Sequence, residues 1–297
     1  MNEVSISVII PVYNTPPWML EQCFDSVLAQ TCPAHQIIVV DDGSEDSETI
    51  TCLEMYAARY PDRFLLKRNA HSGIIQSLNA GLRLLHSDWV CFLNSDDFFE
   101  ADYLERLAGC ISPDIDIVVG GGRCMNYSGG QSLGTFPTAE VLKDPMRYPY
   151  HTGDWQFRIY RRNCVQKYFN VFPEGCITFD MFNNLATLTA RGTASVESYG
   201  YCHRVRADST SRNFRIFNTF TMKDIPLADL RCYLAQAKSA PPYQRNVAHY
   251  LLACGLMLSS WLFCCYSSKA ARIEIAEKTA SFFREEELQG KSYRGTH

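Results

Sequence analysis

The chain has 297 residues, 46% of them hydrophobic and 20% charged, with a net charge of -4 and a pI near 6.0. That composition belongs to a globular protein of one large domain or two intimate ones, and a mildly acidic chain without a basic run lacks the means to grip nucleic acid by neutralising phosphates. Thirteen cysteines, odd in number and without a zinc-like CxxC pair, are scattered from Cys23 to Cys265 and read as reduced core thiols.

At the amino terminus, "MNEVSISVIIPVYN" lacks the basic region and small-residue cleavage site of a signal peptide, so a cytoplasmic location is expected. Four β-rich runs follow, at Val4 to Ile10, Gln36 to Val40, Arg63 to Lys67 and Asp88 to Leu93. Apolar residues at helical spacing lie between them, such as Leu20, Cys23, Phe24, Val27 and Leu28, then Ile75, Leu78, Leu82 and Leu85. This alternation predicts an α/β fold, a doubly wound and mostly parallel sheet, over residues 1–110. A second, mixed half is expected over 111–215. It begins with a strand and a glycine-punctuated hairpin in "DIDIVVGGGRCMNYSGG" and continues through the alternating "QFRIYRR". A helix is expected from Asp180 to Ala190 and one strand in "ASVESYGYCHRVR".

Residues 216–297 form a helical carboxyl-terminal region by the same reading. Within it, Val247 to Tyr266 approaches the length of a bilayer span, although His249, Ser259 and Ser260 interrupt it. A core helix, an interfacial contact with a membrane or acceptor lipid, and a true span all remain open for this stretch.

Three polar signals close three of the β runs: "PVYN" (Pro11, Val12, Tyr13, Asn14), "DDGS" with Asp42, Gly43 and Ser44, and "NSDD" with Asp96 and Asp97. Ligands of open α/β sheets bind beyond the carboxyl ends of the strands, where the strand order reverses. Two adjacent carboxylates ahead of Phe98 and Phe99 repel each other and lose hydration, so they call for a cation or a network of donors. The plainer alternative is that they cap a helix starting at Ala101.

"SVIIPVYN", "VVDDGSEDS", "HSGIIQSLNAGL" and "LNSDD", in that order and at that spacing, resemble the consecutive motifs of the family-two inverting nucleotide-sugar glycosyltransferases, enzymes of the GT-A fold. "FPEGCITFDMF" resembles the segment that carries the family's catalytic base, and "YGYCHRVRADSTSR" the strand and loop after it, so the likeness spans residues 4 to 212. The resemblance implies a nucleotide-sugar donor, a UDP-sugar since uracil is the family's commonest base. Asp42 would then accept from the base, with Tyr13 offering a stacking face and the backbone near Val12 meeting the base edge. Gly43 would make the sharp turn and Ser44 cap the next helix. Gly73 would allow close approach at a helix start, and Asn79 matches another nucleotide position.

By the same resemblance Asp97 would ligate a divalent cation, Mn2+ or Mg2+, with Asp96 near the ribose or a metal-bound water. His203 would complete the metal shell or contact the diphosphate, against the alternative of a satisfied core histidine. Arg204, Arg206 and Arg212 would clamp phosphate from a closing loop, or simply form a basic face. Asp180 would be the base that takes the acceptor's proton.

Two departures from the family are visible: Leu78 stands where relatives carry arginine, and Phe179 where they carry the glutamate before the base, with Glu174 a substitute for the latter. No QxxRW signature of processive synthases is present, so a single sugar would pass to a saccharide or lipid-linked saccharide acceptor at the inner face of a membrane. A non-catalytic protein that binds sugar nucleotides or carbohydrate is the alternative. A dinucleotide oxidoreductase is disfavoured because "VVGGGR" lacks the GxGxxG spacing.

Overall fold

A computed structural model describes residues 4–136, 155–169, 186 and 190–206. The chain divides into two compact units, Met1–Arg212 and Asn213–His297. The second unit, with the expected helical region 216–297 and the apolar stretch Val247 to Tyr266, lies outside the described residues.

The first half alternates as the periodicity demands: β1 (Ile6–Val12), α1 (Pro17–Leu28), β2 (Gln36–Asp41), α2 (Ser47–Arg59), β3 (Phe64–Arg68), α3 (Ile74–Arg83) and β4 (Trp89–Phe92). Helix α1 opens with proline at its first position, where no backbone donor is needed, and buries Leu20, Cys23, Phe24 and Val27 along one stripe. The four β runs foreseen from composition are the four strands, with shifts of one or two residues at their ends.

Beyond them come β5 (Phe98–Phe99), α4 (Tyr103–Ala108), β6 (Ile117–Val119), β7 (Gly122–Met125), β8 (Ser132–Phe136), a 3-10 turn at Trp155–Phe157, β9 (Arg158–Arg161), α5 (Arg162–Phe169), β10 (Thr193–Ser195) and β11 (Tyr201–Arg204). Seven strands form one sheet in the order β10-β6-β9-β4-β1-β2-β3. Only β9 runs antiparallel to its neighbours, so the sheet is mostly parallel. A second sheet has the order β5-β11-β7-β8.

The large sheet is covered on both faces. Ile6, Val8, Ile10 and Val12 of β1 join the core formed with α1 and α2, while Ile9 points the other way against Gly81 of α3. Burial pushes the Cys91 thiol up to about 12 and the Cys52 thiol up to about 11. Together with buried Cys23 and Cys202, they are packing groups rather than nucleophiles.

Two expectations need correction. "ASVESYGYCHRVR" is not one strand but two, β10 and β11, which belong to different sheets. The chain crosses over at Gly200, where a Cβ would lie 2.6 Å from the Tyr103 ring, so only glycine lets the backbone pass. Neither Asp96 nor Asp97 caps a helix. Helix α4 begins after Asp102, and it is Gln30, two residues beyond the end of α1, whose Oε1 accepts from the Leu104 N–H at 2.9 Å. Of the helix expected from Asp180 to Ala190, Ala186 is helical and accepts from the Ala190 N–H at 3.0 Å, while Asp180 lies outside the described residues.

A Cβ on Gly81 would come within 2.6 Å of Ile9 Cγ2, a branch that cannot swing away. Gly81→Ala is therefore expected to lower the unfolding free energy by about 1–3 kcal/mol. In chemical denaturation, Ile9→Ala should cost less in the Gly81→Ala background than in the wild type, because it removes the clash. Additive effects would show that α3 does not rest on β1 there.

Candidate active site

The crevice starts with a proline. Alternate residues of β1 turn their backbone groups to opposite neighbours: Leu93 N–H donates to the Ile9 carbonyl (3.1 Å), and Asp42 N–H to the Val12 carbonyl (2.8 Å). Pro11, two residues after Ile9, therefore faces β4 with no N–H to give. Pairing with β4 ends at Ile9↔Phe92, whereas pairing with β2 runs on to Val12↔Asp41. The sheet thus parts between β1 and β4, the two strands on either side of the reversal in strand order. A 2.7 Å hydrogen bond between Thr15 Oγ1 and Ser95 Oγ ties the two diverging loops together.

On the β2 side of this crevice Asp42 is buried and its carboxylate is fully engaged. Oδ1 accepts from the Ser72 N–H and Oδ2 from the Gly73 N–H, both at 2.9 Å, and His71 Nδ1 lies 2.9 Å from Oδ2. His71 also stacks on Tyr13, with centroids 4.1 Å apart at 20°. Tyr13 keeps 47% of its surface exposed, so the structure brings Tyr13, Asp42 and His71 into one cluster at the α3 amino terminus. Gly43 has φ +76°, and a Cβ there would meet the His71 backbone nitrogen at 2.7 Å. The tight turn is needed to admit this loop. Gly73, the residue before α3, is required for its φ of +95° rather than for space, since nothing approaches its Cβ position within 4 Å.

Asn14 is the single described non-glycine residue with positive φ, at 47°. Its Oδ1 accepts from the Glu45 and Asp46 N–H groups, and its own N–H donates to Ser44 Oγ at 2.9 Å. Asn14 and Ser44 therefore join the β1 and β2 loops to each other. Ser44 does not cap α2; that role belongs to Asp46, whose Oδ2 accepts from the Thr49 N–H at 2.8 Å. Asn79 is buried on α3 with Oδ1 lacking a hydrogen-bond partner, and Leu78 is wholly buried.

On the β4 side the two aspartates part company. Asp97 is fully buried. Its Oδ1 accepts from the Arg204 N–H (2.7 Å), and its Oδ2 is met by the Tyr201 hydroxyl (2.7 Å), His203 Nδ1 (3.2 Å) and Asn94 Nδ2 (3.3 Å). Tyr201 in turn accepts from the Asn94 N–H at 3.2 Å. Asp96 remains 22% exposed beside Arg206, whose Nε lies 3.2 Å from Oδ2. Burial, and then the Asp97 charge beside it, push the Asp96 carboxyl up to about 6 against the pull of Arg206 and His203.

Arg204 is not a mobile phosphate clamp. It is 1% exposed, donates from Nε to the Asp96 carbonyl (2.8 Å) and from Nη1 to the Tyr127 carbonyl (2.7 Å), and lies 4.8 Å from the Trp18 ring centroid. Burial among these rings pulls its pKa down, opposed by Asp97 and Asp96. Asp180, Glu174 and Arg212 lie outside the described residues.

Sequence reasoning missed His71, Tyr201 and the supporting role of Arg204. Tyr201 had a usable signal, because it stands two residues before His203 on an alternating strand and so shares its face. His71 stood inside a recognised motif but has no partner within 20 positions of it in the chain, since Tyr13 and Asp42 meet it only through the fold.

Among the described residues no group of three or more His, Cys, Asp or Glu side chains is arranged to hold a metal ion. A hard cation at a diphosphate takes most of its ligands from phosphate and water, so one carboxylate with one further donor can suffice. Asp97 and His203 are such a pair, 3.2 Å apart. Three donors already crowd Asp97 Oδ2, so the pair could hold a cation only if His203, its side chain 36% exposed, gave up its contact with Asp97.

An open, mostly parallel sheet with polar loops gathered at a strand-order reversal, and paired carboxylates on the rim, defines an α/β protein of the class that binds ligands at such a switch point. The glycosyl transferase family 2 model matches residues 7–179, more than half of the chain, and the chain belongs to that family. Glycosyltransferase GlyA of Streptococcus pneumoniae is 36% identical over 126 residues, 42% of this chain and 18% of that protein. A PGL/p-HBAD biosynthesis glycosyltransferase of Mycobacterium bovis is 36% identical over 106 residues, 35% of this chain and 41% of that protein. The chain thus spans less than half the length of these relatives.

Among solved structures, S. aureus TarS 1-349 in complex with UDP has a TM-score of 0.56 at 18% identity, covering 78% of this chain and 66% of that one. The mannosyltransferase PcManGT from Pyrobaculum calidifontis, in complex with GDP-Man and Mn2+, has a TM-score of 0.55 at 16% identity, covering 93% and 79%. The fold is that of the GT-A glycosyltransferases.

A carboxyl whose native pKa is raised to about 6 stabilises the fold below its unfolded value, and that stability is lost as pH rises through 6. Asp96→Asn is therefore expected to raise Tm at pH 7.5 by on the order of 2–6 °C, at about 2–4 °C per kcal/mol. At pH 4 the gain should vanish, and a gain independent of pH would show that burial does not oppose ionisation of Asp96. Tyr201→Phe, which removes a donor from buried Asp97, should cost about 1–3 kcal/mol in denaturant unfolding.

Proposed function

We propose that the chain is an inverting, metal-dependent glycosyltransferase that moves one sugar from a UDP-sugar to an acceptor hydroxyl. The observation that carries the reading is the gathering of Tyr13, Asp42 and His71 on one side of the β1–β4 crevice and of Asp96, Asp97 and His203 on the other. β2, β1 and β4 are consecutive in the sheet, so these clusters are about two strand spacings apart, roughly 10 Å, a reach suited to a base and a diphosphate. The family supports sugar transfer, and the fold shared with a UDP complex and a GDP-Man and Mn2+ complex supports a nucleotide-sugar donor.

In this reading Tyr13 offers its ring to the base while Asp42 holds the Ser72–Gly73 amides that wall the slot. Asp97 and His203 would hold the divalent cation, which when bound supplies positive charge to the departing diphosphate. Asp96, costly to ionise in its half-buried place, gains most from positive charge nearby and so favours the loaded state over the empty one. Asp180 takes the acceptor proton as the hydroxyl attacks from the opposite face. Saccharide or lipid-linked saccharide acceptors at the inner face of a membrane are the proposed partners, in a cytoplasmic location that buried unpaired Cys23, Cys52, Cys91 and Cys202 support.

A second reading, binding of sugar nucleotides without transfer, is favoured by one observation: Asp97 already accepts four hydrogen bonds. The two are separated by thermal shift with UDP, GDP and their sugars, with and without Mn2+, together with donor hydrolysis. UDP with Mn2+ should raise Tm through linkage, and GDP should not. Hydrolysis should fall at least about 100-fold, about 2.7 kcal/mol, in Asp97→Asn and in Asp180→Asn, the latter with UDP affinity unchanged. Stabilisation by UDP without hydrolysis would leave the binding reading, and stabilisation by GDP alone would overturn the base.

A further inference from the structure

Trp18 on α1 and Tyr127 in the turn between β7 and β8 are 40% and 55% exposed, a large aromatic surface to leave in water. Their rings meet edge to face, with centroids 5.5 Å apart at 67°. Neither is loosely hung. The Arg204 guanidinium lies 4.8 Å from the Trp18 centroid and 5.4 Å from that of Phe98. The turn carrying Tyr127 is closed by the Asn126 N–H on the Gln131 carbonyl (2.9 Å), with the Gln131 N–H and Ser128 hydroxyl on Asn126 Oδ1, both at 3.1 Å. Gly129 has φ +76°, and a Cβ there would come within 2.8 Å of Arg204 Nη1, so the turn sits directly on the arginine.

The same guanidinium holds the Tyr127 and Asp96 carbonyls at 2.7 and 2.8 Å. One buried side chain thus sets the distance between the aromatic corner and the carboxylate segment. Tyr127 lies in the turn between two strands of the second sheet, whose β5 follows directly on Asp96 and Asp97, so in the reading proposed above the corner stands on the diphosphate side of the crevice, away from the base. The arginine backs one face of the indole, so a ligand must use the other. Aromatic faces are electron-rich and attract weakly positive C–H bonds, while the hydroxyl of the largely exposed Tyr127 offers a hydrogen bond beside them. A pyranose presents that combination, one face of C–H bonds within a rim of hydroxyls. An anion would need the charge itself, and Arg204 is 1% exposed.

We propose that Trp18 and Tyr127 form a stacking subsite for a pyranose ring of the acceptor, held at a fixed offset from Asp96 by Arg204. This rests on the transfer reaction proposed above and assigns a binding place to the saccharide of its acceptor. Saturation-transfer NMR tests it, with the methyl glycosides of glucose, galactose and N-acetylglucosamine at about 10 mM, suited to millimolar affinities, on protein loaded with UDP and Mn2+. At least one glycoside should receive saturation on its C–H face in the wild type and lose it at least about fivefold in both Trp18→Ala and Tyr127→Ala. Tyr127→Ala spares the backbone carbonyl that Arg204 uses and so covers any misfolding of the Trp18 variant. UDP thermal shifts should be unchanged in both. Signals that persist in both variants, or no signal from any glycoside while UDP still stabilises the protein, overturn the subsite. Loss of UDP-sugar binding with glycoside binding intact would assign the corner to the donor's sugar and overturn it as well. Failure of UDP to stabilise the wild type would instead strike the reaction on which the subsite rests.

Discussion

A carboxylate with no solvent exposure survives only if the protein replaces the water it has lost, and Asp97 is such a group. Its partners come from two places. Asn94 belongs to the segment leaving β4 of the parallel sheet, while Tyr201, His203 and the Arg204 amide belong to β11 of the second sheet. The charge therefore joins the two sheets, and the residues between them take their places from that junction. Arg204, held by its backbone on Asp97, sends its side chain back to the Asp96 carbonyl and outward to Tyr127.

The junction satisfies Asp97 with four donors, whereas the Asp96 carboxylate has the Arg206 guanidinium beside it at 3.2 Å. Two identical neighbours then differ in chemistry through environment alone: one saturated with donors, the other half-buried, beside a like charge, and pushed up to about 6. On the other side of the crevice Asp42 spends its oxygens on the Ser72 and Gly73 amides and on His71. Both sides are built from buried acids that shape loops, each beside a less buried residue, Tyr13 on one side and Asp96 on the other.

The strands and the rim motifs were legible because apolar runs of fixed period ended in turn residues, and Pro11, Gly43 and Gly73 carry conformational consequences that any fold must respect. What misled were residues whose chemistry suits two roles. Ser44 and Asp46 are both capping types two positions apart, and the bonds from Asn14 and to Asp41 decided between them. Arg204 read as part of a basic face, yet Trp18, 186 positions before it, and Phe98, 106 before it, enclose its side chain. The single strand expected across residues 194–206 broke in two because Gly200 passes the Tyr103 ring, which periodicity along one segment does not encode.

The sequence by itself determined the alternation of strand and helix, the family, and the positions along the chain where polar loops interrupt buried strands, since these depend on spacing between near neighbours. Which aspartate is buried, which is costly to ionise, and which arginine is structural were decided only by tertiary structure. Those properties depend on desolvation and on donors brought from distant segments, and both exist only once the two sheets have met.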